Sequence, residues 1–176
     1  MRDIHRRGAS LDELREVAAR QNDARKRIIF SELADRYTSK WRELDAEYFD
    51  VRTARWEGGN VKISATPEVG VRIGGRSFAT KIWLLSQPPS DEVASILLGL
   101  LELAGRRGIP KWPQGWEPAL WDTRRERFLT LDTHPLPQLF EATTEAELAA
   151  FGRLWVALEE EEQEEESEKT ATGGAA

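Results

Sequence analysis

The sequence contains no cysteine among its 176 residues, which excludes disulfide cross-links and thiolate metal ligands. Histidine is nearly as scarce. His5 and His134 are far apart in sequence, and neither has a partner at metal-ligand spacing. The chain also lacks a Gly-x-Ser-x-Gly nucleophile elbow, a Walker loop and a dinucleotide-binding glycine loop. The sequence therefore predicts no metal, no cofactor and no catalytic residue, which favours a function other than catalysis.

Long apolar runs are missing as well. The longest, residues 96–101, is interrupted by Gly99 and is far shorter than the about 20 residues that a membrane span requires. The basic N-terminus is not followed by an apolar segment, so the sequence does not predict a secretory signal. Because cysteine is absent too, we expect a cytoplasmic protein without a membrane partner.

The net charge of −6 is unevenly distributed along the chain. Residues 159–176 contain eight Glu and one Lys, for −7, whereas the rest carries 24 basic and 23 acidic side chains, for +1. The body is therefore nearly neutral. In the acidic tail, like charges at i and i+4 repel and disfavour a stable helix. Such a tail could be a solvating segment, an intramolecular brake over basic surface, or a contact for a basic partner.

Helical periodicity dominates the N-terminal third of the chain. Residues 1–9 show no such pattern, and we expect them to be disordered. Ser10 and Glu13 form a capping box ahead of a first helical stretch. Apolar residues then recur at steps of three or four over residues 30–48. Residues 22–23 are weak helix formers, so both one long helix and a helix pair remain open.

Two more helices are predicted towards the C-terminus. Ser90 is a suitable N-cap for one, and Gly108 is a suitable end signal. Its predicted buried stripe comprises Val93, Ile96, Leu97, Leu100, Leu101 and Ala104. Thr144 and Glu147 form the capping box of the other helix. One face of that helix carries Leu148, Phe151, Trp155 and Leu158.

Between the helices the apolar residues alternate, as in strands. The predicted strands cover residues 61–65, 69–73, 76–85, 119–122 and 127–131. Gly74-Gly75 predicts a two-residue hairpin turn, and the apolar end of the strand after it indicates a central strand. The order of elements predicts an α+β fold with a mostly antiparallel sheet of about five strands covered by helices. We expect one domain over residues 10–158 and a disordered acidic tail over residues 159–176.

The predicted elements follow the order helix, three-stranded meander, helix and further strand. This order resembles the core of the PD-(D/E)XK nuclease-like fold. That family has an acid near the second strand and an acid-x-lysine triplet in the third. Glu68 resembles the first acid and Lys81 the lysine, but the triplet is Ala79-Thr80-Lys81 and lacks its acid. The resemblance covers about residues 30–131 and implies a degenerate site that holds Mg²⁺ poorly. The alternative for Lys81 is a lysine on the solvated face or edge of the sheet.

Arginine and tryptophan side chains gather at the predicted turns. On one shared face, the arginines could contact phosphates and the tryptophans could stack on bases. Alternatively, the arginines are simply solvated and the tryptophans pin a proline-rich loop to the core, which a nearly neutral body favours. The candidate residues for binding nucleic acid or another partner are Lys81, Glu68, Arg72, Arg76, Arg106, Arg107, Trp112, Trp116, Arg124, Arg125 and Arg127.

Three classes of function are consistent with these features. The first is a non-catalytic binding or adaptor protein, an accessory protein that docks to a larger macromolecular partner. The second, implied by the resemblance, is a nucleic-acid-binding protein with an inactive nuclease-like core, in bacterial genome defence or a mobile element. The third is a phage-type structural or assembly protein, for which self-association is expected.

Overall fold

The computed structural model describes residues 2–8, 10–58 and 61–173, and the side chains of residues 58, 162 and 164–173 lie outside this description. The helices are α1 Arg2–Arg6, α2 Glu13–Ala19, α3 Ala24–Glu43, α4 Asp91–Arg107 and α5 Phe140–Gly173. The strands are β1 Glu47–Phe49, β2 Ala54–Gly58, β3 Val61–Ala65, β4 Val69–Ile73, β5 Arg76–Trp83, β6 Trp116–Asp122 and β7 Arg127–Thr130. Within the described ranges, every helix is too short or too polar to span a bilayer.

The main sheet contains five strands in the order β1-β4-β5-β6-β7, and β2 and β3 form a separate two-stranded sheet. Neighbouring strands of the main sheet are antiparallel except β5 and β6, which are parallel and are connected through α4. A parallel pair requires such a crossover, because a tight turn can join only antiparallel strands. The predicted α+β class and mostly antiparallel five-stranded sheet are confirmed, and β5 is the central strand.

The strands before β4 differ from the prediction. We expected residues 61–65 to start the meander of the main sheet, but β3 pairs with the unpredicted strand β2 instead. The place beside β4 belongs to β1, which was also not predicted. The reason is that Tyr48 continues the helical spacing of α3, and a strand of three residues is too short to establish a period of two.

The question of one helix or two is settled by Asp23. Its side chain accepts hydrogen bonds from the backbone N–H groups of Arg25 at 2.8 Å and Lys26 at 3.1 Å. These bonds cap α3, because the first N–H groups of a helix have no partner within it. Residues 22–23 therefore separate α2 from α3.

The N-terminus also differs from the prediction. Residues 1–9 were expected to be disordered, but α1 covers Arg2–Arg6. Ile4 is buried in the same cluster as Tyr37 and Trp41 of α3. The ring of His5 stacks on that of Tyr48, with 5.1 Å between the centroids. The expected disorder is corrected to a docked helix for residues 2–6, whose one apolar residue is too little to produce a periodic signal.

Helices cover both faces of the main sheet. On one face α3 and α1 pack against the sheet, and the buried cluster includes Tyr37, Trp41, Val71 and Trp121. On the other face lies α4, with Ala94, Leu98, Leu120 and Leu129. A third cluster joins α4 to the β2–β3 hairpin and to the beginning of α5, through Trp56, Leu101, Ala104, Phe140 and Leu148. Thus α4 is packed between the sheet, the hairpin and α5.

The last helix is longer than predicted at both ends. It begins at Phe140, so the expected capping residue Thr144 lies one turn inside it and is buried. Instead of ending near residue 158, α5 continues to Gly173. The disorder expected for residues 159–176 stays a prediction, because most side chains of this segment are outside the described residues.

Candidate functional site

Glu68 and Lys81 lie together, in an ion pair that connects the residue before β4 to the central strand. The second carboxylate oxygen of Glu68 accepts a hydrogen bond from the backbone N–H of Ile82 at 2.8 Å. The Lys81 ammonium is also 3.5 Å from the carbonyl oxygen of Thr66. Both charged side chains are half-buried, and no ion pair between them and an arginine occurs in the described residues. This pair holds two strands together.

The same place offers little to a metal ion. Ala79, at the position of the missing acid of the triplet, is fully buried in the sheet. No group of three potential metal ligands forms anywhere in the described part of the chain. The single carboxylate of Glu68 is already engaged by a lysine and a backbone amide, and Mg²⁺ sites usually need more oxygen ligands than this.

The arginines of the first hairpin are paired with acids on neighbouring strands. Arg72 contacts Glu47 of β1 at 3.2 Å. The guanidinium of Arg76 lies 2.9 Å from Glu117 of β6 and 2.6 Å from Asp132. These two carboxylates, chiefly Glu117, raise the pKa of Arg76. The positive charge on this hairpin is therefore compensated within the chain.

The arginines at the end of α4 are paired in the same way. Arg106 contacts Glu102 one turn earlier in the helix. Arg107 contacts Glu141 and Glu145, both on α5. These ion pairs connect the C-terminal end of α4 to the first turns of α5.

The arginines of the second hairpin stabilise its turn. Arg124 and Arg125 donate hydrogen bonds of 3.0 and 2.7 Å to backbone carbonyls in the loop 84–86. Arg125 and Arg127 approach Asp122 to 3.3 and 3.4 Å. Because Asp122 is 0% exposed, its carboxylate needs these donors to compensate for lost hydration. All seven candidate arginines are thus engaged inside the chain, and their binding to nucleic acid stays a prediction.

The two candidate tryptophans line a cleft of about 420 Å³. This Trp112 cleft also contains Arg106 and Lys111, the latter a residue that the sequence analysis did not single out. The rings of Trp112 and Trp116 are 6.3 Å apart between centroids. The indole N–H of Trp112 donates to the carbonyl oxygen of Arg52 at 3.2 Å, which pins the proline-rich loop to the body.

A larger, apolar groove of about 750 Å³ lies between α4 and α5. We call it the α4–α5 groove, and its apolar lining consists of Ile96, Leu100, Pro137, Phe140, Leu148 and Phe151. Gly99 allows the two helices to meet here. A Cβ atom at this position would lie only 2.2 Å from the ring of Phe140. The close approach of this ring to α4 requires the glycine.

The apolar lining continues along α5 beyond the groove. Leu148 packs on the body, but Phe151 and Trp155, the next members of the predicted stripe, are 52% and 54% exposed. Their rings contact each other, with 6.0 Å between centroids. Leu154 and Leu158 beside them are exposed as well. We call these four exposed side chains of residues 151–158 the α5 stripe.

The polar rim of the groove is acidic. Asp91, Glu92 and Glu147 line it, and among the described residues no lysine or arginine does. The Asp91 side chain is 98% exposed and lies 3.5 Å from Nε2 of His134. Within the described residues, no ion pair engages Glu92 or Glu147. Beyond the α5 stripe the helix continues directly into the exposed acids of residues 159–161.

The α4 side of this surface was expected to be buried. Val93 and Ile96 were expected in the buried stripe of α4, but they are 38% and 42% exposed. The apolar positions of α4 span a wider arc than one packing face needs. One part of that arc, with Ala94 and Leu98, meets the sheet, and another part, with Ile96 and Leu100, lines the groove. The width of the arc is the signal that could have indicated a second apolar surface.

The chain matches no family model, and no curated protein or solved structure matches it significantly.

Proposed function

We propose that this chain is a non-catalytic binding module, an accessory protein that docks to a larger protein partner through the α4–α5 groove and the α5 stripe. One observation carries the proposal: Ile96, Phe151 and Trp155 form a continuous, half-exposed apolar surface next to a groove. Soluble proteins rarely leave contiguous apolar surface of this kind uncovered unless it binds something.

The energetics of this surface suit a protein interface. A buried aromatic side chain removes about 150–250 Å² from water, and Phe151 and Trp155 still expose about half of theirs. Covering the rest at about 25 cal/mol per Å² contributes about 2 kcal/mol for each ring. This is the range of interface hot spots, in which aromatic anchors near pockets dominate affinity.

The paired arginines support the same proposal by contrast. Arg76 and Arg107 each contact two carboxylates, so a phosphate would have to displace existing partners. The groove and the α5 stripe instead present exposed apolar groups, and no ion pair within the described residues engages the rim acids Glu92 and Glu147. A partner that covers these groups therefore displaces no ion pair of Glu92 or Glu147.

Affinity capture from the source cell with the tagged full-length chain tests the proposal. We expect one partner in stoichiometric amount, and its loss when Phe151→Ala and Trp155→Ala are combined. Ile28→Ala is the matched control, because Ile28 is 62% exposed but lies on α3, away from the groove. Recovery of no stoichiometric partner, or equal recovery by the double variant, would contradict the proposal.

A second candidate function, nucleic-acid binding, is favoured by the Trp112 cleft. There Lys111 lies beside two tryptophan rings, a combination that can hold a phosphate and stack a base. The nuclease-like resemblance rests on the order of elements predicted from the sequence, together with Glu68 and Lys81. The inactive nuclease-like core remains part of this candidate.

Binding of DNA and RNA oligonucleotides, followed over a range of salt, tests this second candidate. We expect binding to increase when residues 159–176 are removed, since the acidic tail competes for the same cations, and to fall with salt. Lys111→Ala combined with Trp116→Ala should abolish it. If the shortened chain shows no salt-sensitive binding, the second candidate is wrong.

A further inference from the structure

The partner segment that fits the α4–α5 groove can be specified further. We infer that it is an amphipathic helix with an apolar face flanked by lysine or arginine, supplied by another protein. This inference rests on the proposed function and adds the secondary structure and charge of the ligand. It follows from the backbone chemistry of the groove, from its charge and from the direction of the α5 stripe.

The backbone chemistry of the groove favours a helical ligand. Its walls are α4 and α5, whose N–H and C=O groups are satisfied inside the helices except at the ends. An extended peptide laid against them would find no strand edge and would bury its own N–H and C=O groups unpaired. A helix satisfies its backbone internally and presents side chains alone. Helix-in-groove binding uses this property.

The charge of the rim selects a basic ligand. Asp91, Glu92 and Glu147 surround an apolar floor that no cationic side chain lines in the part of the chain that the structure describes. A ligand helix with acidic flanks would place like charges opposite these three carboxylates. One with lysine or arginine flanks would place opposite charges there, which adds specificity and speeds association.

The direction of the α5 stripe gives the ligand a polarity. Along α5 the order is Leu148 on the body, Phe151 and Trp155 exposed, and then the acids of residues 159–161. A ligand helix that follows this surface meets apolar groups first and acids afterwards. Its own sequence should therefore place apolar residues over the groove and a basic cluster beyond one end of them.

A second copy of this chain carries one segment of related chemistry. The beginning of α3 has Arg25, Lys26 and Arg27 followed by Ile28, and these side chains are exposed. Its docking into the groove of another copy would join two different surfaces, and such head-to-tail contacts form rings or open filaments rather than a closed pair. We therefore assign the groove to a different protein and make self-association an outcome of the test.

Peptide binding to the full-length chain provides the test. The probes are three fluorescently labelled peptides: a lysine-flanked amphipathic helix, the same helix with glutamate flanks, and a scrambled lysine peptide without an apolar face. We expect the first to bind at least about tenfold more tightly than either of the others, a difference typical of one or two interface hot spots. Its affinity should fall as salt increases.

Charge reversal in the rim makes the test specific. Glu92→Lys combined with Glu147→Lys should weaken the lysine-flanked peptide at least about tenfold and strengthen the glutamate-flanked one. Glu32→Lys, an exposed acid on α3, is the matched control and should change neither. If the lysine-flanked peptide binds no better than the scrambled one, or if charge reversal has no effect, the inference is overturned.

Failure of this inference can be told apart from failure of the proposed function. In one outcome, a captured partner is lost in the Phe151→Ala, Trp155→Ala variant, but none of the peptides binds. That outcome would support the docking surface and reject the helical ligand. Failure of both measurements would reject the surface itself. Concentration-dependent self-association that both Phe151→Ala and Ile28→Ala abolish would overturn the assignment to a different protein in favour of a second copy.

Discussion

The turn after β6 and the α4–α5 groove have opposite arrangements of their charged groups. At the turn, Asp122 is fully buried and lies within 3.4 Å of Arg125 and Arg127, so charge is compensated inside the chain. At the groove, Asp91 is almost fully exposed and stands beside uncovered apolar side chains. The same residue type thus completes a turn in one region and borders an open surface in the other.

This difference indicates which surface has its polar and apolar groups satisfied within the chain and which one does not. The candidate arginines come from several elements, yet each finds an acid or a carbonyl as part of folding. The apolar groups around Ile96 and Phe151 find no cover in the described residues, although α4 and α5 hold them in fixed positions. A region whose groups are satisfied by folding contributes stability, and one whose groups are not satisfied is available for binding.

The largest effect is expected from Asp122→Ala. The substitution removes the carboxylate that compensates Arg125 and Arg127, and we expect the free energy of unfolding to fall by about 2 to 4 kcal/mol. That is below the full cost of breaking a buried pair, because both arginines are partly exposed and can regain water. Urea unfolding measures the change.

Asp91→Ala is the matched control for this comparison. It removes an exposed acid at the rim, and its effect on the free energy of unfolding should stay within about 1 kcal/mol, the range of a first-turn helix acid. Equal losses for the two variants would refute the contrast between a compensated turn and an open groove.

Acid is expected to release α1, with the second largest effect. Burial lowers the pKa of His5 from 6.5 to about 4, so the unfolded state binds the extra proton first as pH falls. The contribution of neutral His5 to the free energy of unfolding is therefore complete above pH 6.5 and is lost between pH 6.5 and about 4. The hydrogen bond from Arg6 lowers the pKa of Asp50 from 3.8 to about 2, and this contribution is lost only below pH 3.8.

His5→Phe separates these two steps. Phenylalanine retains a ring against Tyr48 and has no titrating nitrogen, although it loses the 2.9 Å contact of His5 with the Tyr37 hydroxyl. Amide hydrogen exchange in α1 should therefore become independent of the pH 6.5 to 4 transition, after correction for the intrinsic rate. An unchanged transition in His5→Phe would show that another group controls the docking of α1.

A smaller effect on stability is expected from Gly99→Ala. Alanine favours a helix over glycine by about 1 kcal/mol. Its Cβ would, however, lie 2.2 Å from the ring of Phe140, which has to move. The two effects oppose each other, and we expect a net change below about 1 kcal/mol together with a displaced Phe140 ring at the floor of the groove.

Chemical shifts of the Phe140 ring and the affinity of the lysine-flanked peptide measure this displacement. Ser95→Ala, one turn earlier on the same helix and also in the groove lining, introduces no such overlap and is the control. If Gly99→Ala leaves both the ring and the affinity unchanged, Phe140 does not shape the groove.

Local signals predicted the elements that sequence neighbours define. Ser90 caps α4 by accepting from the N–H of Val93, and Gly74 and Gly75 have the positive φ that their turn requires. The strand β1 was missed because it has only three residues. The strand β2 was missed because its pairing with β3 is visible only in the structure. The groove was missed for a related reason. Periodicity shows that Ile96 belongs to an apolar stripe but not which element covers it.

The smallest effect on stability is expected from substitutions in the α5 stripe. This prediction tests whether the stripe contributes to folding or is available for binding. Phe151→Ala combined with Trp155→Ala removes two large rings. Because both rings are half-exposed, the free energy of unfolding should change by less than about 1 kcal/mol. Leu148→Ala, one turn earlier on the same face, removes a side chain that packs on the body and should cost about 1 to 2 kcal/mol. If Leu148→Ala does not lower the free energy of unfolding more than the double variant does, the stripe packs on this domain and is not a surface that binds a partner.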